Sequence, residues 1–151
     1  MSVRIVQFVA IVVIALAVVP SGAHLAALPN KIGMPQDHYF VVQSAYRGWA
    51  WLGLLWLAGL TLGATSAVMV RSQAVPFWSA AGAAACFPIM LAVFLVWTQP
   101  ANQATDNWTR TPENWTVLRL HWEYSHATSA VIVVLALCLI VYSALAWRPE
   151  G

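Results

Sequence analysis

The side chains best suited to chemistry lie in the last third of the sequence, where Arg119, Glu123 and His126 follow one another at helical spacing. At 100° per residue, Trp115, Arg119, Trp122, Glu123 and His126 fall within one arc of roughly 100°. Arg119 and Glu123 are four residues apart and can pair directly, while Glu123 and His126 are three apart and can act together. A histidine oriented by a carboxylate can take a proton from a substrate held between Trp115 and Trp122. His121 falls nearly opposite, with Leu118, Ser125 and Thr128, on a face expected to meet headgroups or solvent.

The pair Glu123 and His126 also forms a Glu-x-x-His element. Di-iron carboxylate bundles use that element on two helices, with further glutamates from the others. This chain has one such element and five acids in all, too few for a di-iron set. A single copper, iron or zinc ion held by His24, His126 and Glu123 is the metal reading that remains. Three readings therefore stay open. The polar groups form a satisfied network that closes the end of a bundle, with Arg119 and Glu123 paired and the histidines bonded to backbone carbonyls. Alternatively they hold one metal ion, or they perform acid/base chemistry without metal.

The elements that must position these residues follow from composition. The 151-residue chain is 61% hydrophobic and 8% charged, far from the quarter or so of charged residues usual in soluble domains. A water-soluble surface cannot be built from it, and a net charge of +2 does not suggest nucleic acid. The sequence predicts an all-α transmembrane four-helix bundle in a single domain, because four segments suffice to cross a hydrocarbon core of about 30 Å. They are Ile5 to Leu28, Trp49 to Val70, Pro76 to Trp97 and Ala127 to Trp147, with the fourth helix beginning near Trp115, outside the core. Pro112 predicts a break between the third helix and the fourth. Cys86 and Cys138 each sit in an apolar run and read as buried small hydrophobes.

Arg4, Arg71 and Arg148 bound the spans on one side, and Lys31, Arg47, Arg110 and Arg119 on the other, so the charge rule alone does not orient the chain. Met-Ser-Val-Arg before an apolar run reads as a start-transfer segment, which places both termini in the cytoplasm of a plasma or inner membrane. A competing reading makes Ser21-Gly22-Ala23 a cleavage site. His24 would then become an N-terminus able to chelate copper.

Gly59-x-x-x-Gly63 and the alanine-rich stretch from Ala80 to Ala85 provide small faces for close helix packing in lipid. Pro88 should loosen the third helix. Trp49, Trp51 and Trp97 mark one interface, and Trp78 and Trp147 the other. Counting along the helices brings His24 and His126 to the same rim, together with Arg47 and Gln43 before the second helix and Gln99 and Asn102 after the third. Every helix thus delivers polar groups to one layer, beneath the tryptophan-rich loop between the third and fourth helices.

Gln99-Pro100-Ala101-Asn102-Gln103, the pairs Asn107-Trp108 and Asn114-Trp115, and the run from Leu118 to Ala127 resemble a group of small four-helix membrane proteins similar to the anthrone oxygenases. The resemblance is specific in the last third of the chain. It points at Asn102, Trp115, Arg119 and His126, and implies oxidation by dioxygen of a flat, electron-rich aromatic at the membrane surface.

Two functions of different class follow. One is a membrane oxygenase or oxidoreductase for a hydrophobic aromatic or quinone-like substrate entering from the lipid. Its catalytic residues would be His126, Glu123 and Arg119, with Asn102, Trp115, Trp122 and Arg47 binding substrate. It requires a cavity at this rim, and solid packing there would oppose it. The other is a non-catalytic subunit or helper that docks a protein partner, or a second copy of itself, through residues 99–116. A transporter is disfavoured, because no charged residue lies between the two rims.

Overall fold

A computed structural model describes residues 2–149. Met1 of the start-transfer segment and the last two residues of the chain lie outside them. Four helical stretches are long and apolar enough to cross a membrane: Val3–Lys31, Trp49–Met69, Ala74–Ala104 and Trp115–Ala146. The first is a single helix, α1 (Val3–Lys31). A short amphipathic helix, α2 (Gln36–Gln43), follows outside the spans. Two tight 3-10 turns, Ser44–Tyr46 and Trp49–Gly53, then lead into α3 (Leu54–Met69). The third span comprises α4 (Ala74–Val93), a π-helical turn over Phe94–Thr98, and α5 (Gln99–Ala104). The chain closes with α6 (Trp115–Ala146).

The long helices form a ring in which α1 packs on α3 and α6, and α4 packs on the same two. Helix α1 shows how the sequence produces this. Gln7, Ala10, Ile14, Ala17, Ser21, His24 and Lys31 are all buried, and their steps of three, four and seven residues keep them on one stripe. The other faces leave Phe8, Leu16 and Val19 exposed, as suits side chains that meet lipid. On α6, Ala130, Val133, Ala136 and Ile140 face inward. The resulting core is built largely of alanine, with Ile14, Phe87, Met90 and Ile140 as its larger members.

Glycine permits a close approach between α3 and α4. A Cβ at Gly59 would run into the Phe87 ring, and one at Gly63 would lie 3.2 Å from the Ala84 Cβ and 3.3 Å from its backbone. The Gly59/Gly63 face thus receives one aromatic ring and one helix backbone. The π-helical turn ends two residues before Pro100, which has no N–H to donate to the carbonyl four residues back. An added residue in the turn is a usual accommodation of such a break. Cys86 is buried, whereas Cys138 is exposed, which corrects the expectation that both are interior. An apolar helix in lipid has two apolar faces, and its sequence does not mark which one looks inward.

The rim near the chain ends is closed by paired polar contacts. Ser143 Oγ donates to the Pro76 carbonyl at 2.7 Å. Gln73 both donates to the Arg148 carbonyl at 2.6 Å and accepts from the Arg148 N–H at 3.0 Å.

Candidate functional site: a buried ion pair in an aromatic layer

The opposite rim contains a layer of polar and aromatic side chains. At 1.5 Å per residue, His24 lies about 32 Å along α1 from Val3, and His126 about 30 Å along α6 from Ala146, so both reach the edge of a typical hydrocarbon core. At its centre Lys31 Nζ lies 3.0 Å from Glu123 Oε1, with both side chains almost wholly removed from solvent. Lys31 Nζ makes no hydrogen bond, so Coulomb attraction holds the pair. Two ring faces complete the surroundings of the ammonium, Tyr46 at 4.8 Å and Trp122 at 4.9 Å.

This arrangement corrects the expected pairing of Arg119 with Glu123. Glu123 points to the bundle interior, where the end of α1 delivers Lys31. Arg119 turns outward instead. Its Nη1 donates to the Met34 carbonyl at 2.8 Å, and its guanidinium lies 4.7 Å from the Trp115 ring centre and 5.5 Å from that of Tyr39. A charge four residues away on the same helix was available, but a partner on another helix matched the inward direction of the carboxylate.

Helix α2 brings a third member, since the Tyr39 hydroxyl donates to Glu123 Oε1 at 2.9 Å. Burial, followed by the charge of Glu123 and the hydrogen bond to it, raises the Tyr39 phenol above its ordinary range. It is therefore a neutral donor. Glu123 Oε2 has no hydrogen-bond partner.

Next to the ion pair the two histidines meet, with ring centres 4.3 Å apart. His24 is buried and enclosed by Tyr46 at 4.3 Å, Trp122 at 4.9 Å and Trp49 at 5.5 Å. Its Nδ1 has no hydrogen-bond partner. His126, half-buried, stacks on Trp122 at 4.0 Å, with its Nδ1 2.8 Å from the Trp122 carbonyl. A carbonyl only accepts, so Nδ1 carries the proton and the lone pair of the neutral ring resides on Nε2.

The tryptophan-rich loop packs inward against this layer. Trp108 is buried among Tyr39, Phe40 and Trp122. Asn102 Oδ1 accepts from the Trp108 indole at 3.2 Å and the Trp122 indole at 2.9 Å. Its carbonyl end therefore ties the loop to α6. Asp106, Asn107 and Trp108 have φ of 47°, 53° and 65°, a left-handed turn that Asp and Asn tolerate and Trp rarely adopts. Thr105 holds it: its hydroxyl donates to the Ala101 carbonyl at 2.7 Å and accepts the Trp108 backbone N–H at 3.1 Å.

Of the residues expected at the site, His24, Trp122, Glu123 and His126 are gathered together, and Asn102 holds two of the indoles. Trp115 and Arg119 pack against each other at the periphery, and Arg47 is exposed. His121 is exposed, whereas Leu118 and Ser125, assigned to the same outward face, are buried. Ser125 is drawn in by a 2.7 Å contact with the Thr98 hydroxyl of the π-helical turn. Among the described residues no three His, Cys, Asp or Glu side chains are grouped as metal ligands. The expected trio of His24, His126 and Glu123 is therefore not gathered as such a group, and Glu123 Oε1 is engaged by Lys31 and Tyr39.

Sequence reasoning overlooked Lys31, Tyr39 and Tyr46. Lys31 carried a usable signal, since it stands seven residues beyond His24 on the same stripe. Tyr39 and Tyr46 belong to segments with no strong periodicity. An open groove of about 280 Å³ indents the same rim between α4 and α6, lined by Val93, Trp97, Leu120, His121, Tyr124, Ser125 and Thr128. None of His24, Lys31, Trp122, Glu123 or His126 lines it. Compared with family models, curated proteins and solved structures, the chain matches none.

Proposed function

We propose that this integral membrane protein is an oxidoreductase for a hydrophobic quinol-type aromatic, with dioxygen as electron acceptor. The observation that carries this reading is the state of His126. Its Nδ1 is committed to the Trp122 carbonyl, its lone pair is left on Nε2, and the ring is half-buried between His24 and Trp122. In this scheme the aromatic approaches the half-buried His126 ring from the lipid. His126 Nε2 takes a phenolic proton, which raises the electron density of the ring. Two electrons and two protons pass to dioxygen, giving the quinone and hydrogen peroxide. The Lys31 ammonium offers a positive charge near an oxyanion as it develops. The resemblance to the anthrone oxygenases supports the same class of substrate, and both termini are assigned to the cytoplasmic side. The helper reading has less support, because Trp108 of the 99–116 segment is directed into the bundle rather than outward to a partner.

The test is dioxygen uptake by the purified, detergent-solubilised protein with a panel of benzo-, naphtho- and anthrahydroquinones. Wild type should consume dioxygen with at least one of them. His126→Gln should lose about 100-fold or more of that rate while keeping its helical content and elution volume. His38→Gln, an exposed change, should behave as wild type. Full activity in His126→Gln, or no uptake by folded wild type across the panel, would overturn the proposal. Co-purification of a stoichiometric partner would favour the helper instead.

A further inference from the structure

Trp122 is the side chain against which the charged and basic groups of the polar layer are set. Its ring centre lies 4.0 Å from that of His126 and 4.9 Å from that of His24, and the Lys31 ammonium lies 4.9 Å from it. Sterics alone fit a flat indole into such a slot in two senses, related by a half-turn about the bond to the ring, which differ in where the N–H points. The partner of that N–H distinguishes them. Asn102 Oδ1, on α5, accepts the Trp122 indole N–H at 2.9 Å and that of Trp108 at 3.2 Å. An indole nitrogen only donates, so two converging indoles require the carbonyl end of the amide. Asn102 belongs to the third span and His126 to the fourth, and Trp122 is the link between them.

His126 shows what that link holds. A neutral imidazole free in water favours the proton on Nε2. Here Nδ1 lies 2.8 Å from the Trp122 carbonyl, which can only accept, so the proton is on Nδ1 and the lone pair on Nε2. That bond lasts only while the imidazole keeps the pose that brings Nδ1 to the carbonyl. The Trp122 ring, stacked on it at an interplanar angle of 34°, supports that pose.

We infer that Asn102 is a positioning residue for His126. Acting through the Trp122 indole, it fixes the imidazole in the tautomer that leaves Nε2 able to take a proton. Its contribution to turnover rests on the reading of His126 as the base of the proposed oxidation, whereas its effect on the tautomer does not.

Nitrogen-15 NMR of the full chain labelled at histidine, in detergent, reads the tautomer directly, with the His126 signals assigned by their loss in His126→Gln. Wild type should carry the proton on Nδ1. Asn102→Leu and the smaller Asn102→Ala, compared at equal helical content and elution volume, should populate the Nε2–H tautomer as well. Each should also lose about tenfold in quinol-dependent dioxygen uptake, the effect of one hydrogen bond. Asn102→Asp keeps an acceptor for both indoles and should restore the wild-type tautomer and rate. Trp108→Phe removes the other indole donor and should leave His126 as it is in wild type, which separates orientation of His126 from tethering of the loop. An unchanged tautomer in Asn102→Leu and Asn102→Ala, no rescue by Asn102→Asp, or an equal change in Trp108→Phe would overturn the inference. A tautomer that responds as expected in a protein that consumes no dioxygen would uphold it and overturn the oxidoreductase reading alone.

Discussion

Lys31 and Glu123 come from opposite ends of the chain and form a 3.0 Å ion pair from which solvent is almost wholly excluded. Such a pair need not stabilise a protein relative to apolar side chains of similar size, because desolvating two charges costs as much as their attraction returns. Breaking it on one side leaves an uncompensated charge in the rim of the bundle.

Glu123→Gln or Lys31→Met should therefore lower stability in detergent by about 3 to 5 kcal/mol, whereas Lys31→Met combined with Glu123→Met should recover most of the loss. Thermal or denaturant unfolding followed by helical circular dichroism is the measurement. Additive losses in the double variant would show that the two charges do not depend on each other.

Tyr39 donates to the same carboxylate, and Tyr39→Phe should cost about 1 to 3 kcal/mol by leaving a buried acceptor less well satisfied. It also makes a pH dependence. The folded phenol titrates above its ordinary value of 10.0, so the unfolded chain releases this proton first as pH rises. The contribution is fully present below pH 10.0 and is lost progressively above it. Unfolding midpoints measured from pH 8 to about pH 11 should fall less steeply in Tyr39→Phe than in wild type.

Helices α3 and α4 approach through Gly59, where a methyl group would meet the Phe87 ring. Gly59→Ala should destabilise the bundle by about 1 to 3 kcal/mol through overpacking. Adding Phe87→Leu removes the ring and should restore part of the loss. If Gly59→Ala is as stable as wild type, the two helices are not held at this separation by the ring.

Asn107, exposed in the left-handed turn with φ of 53°, offers a test of loop conformation. Asn107→Gly should be neutral or stabilising, and Asn107→Val should cost about 1 to 2 kcal/mol because a branched Cβ is crowded there. Trp108 fluorescence should report the accompanying release of the loop from Tyr39 and Phe40.

Much of the architecture was legible because lipid imposes simple rules. Length and hydropathy decide which segments enter the membrane, and the small residues at Gly59 and Gly63 announce a close helix contact. The collection of polar residues at one rim followed from counting residues between His24, His126 and the helix ends. Helical spacing was less reliable for direction. It grouped Ser125 with His121, yet Ser125 is buried by its contact with Thr98 while His121 remains outside.

By itself, then, the sequence determined a four-helix membrane bundle with one polar rim, since these properties depend on local composition and on distances along a helix. The tertiary structure alone decided that Glu123 meets Lys31 and Tyr39 rather than Arg119, that Asn102 binds two indoles, and that Arg47 stays outside. Those choices depend on which helices are neighbours and on their relative rotation. A carboxylate aimed into a bundle pairs with the cation that another helix carries to the same depth, and no spacing within its own helix encodes that meeting.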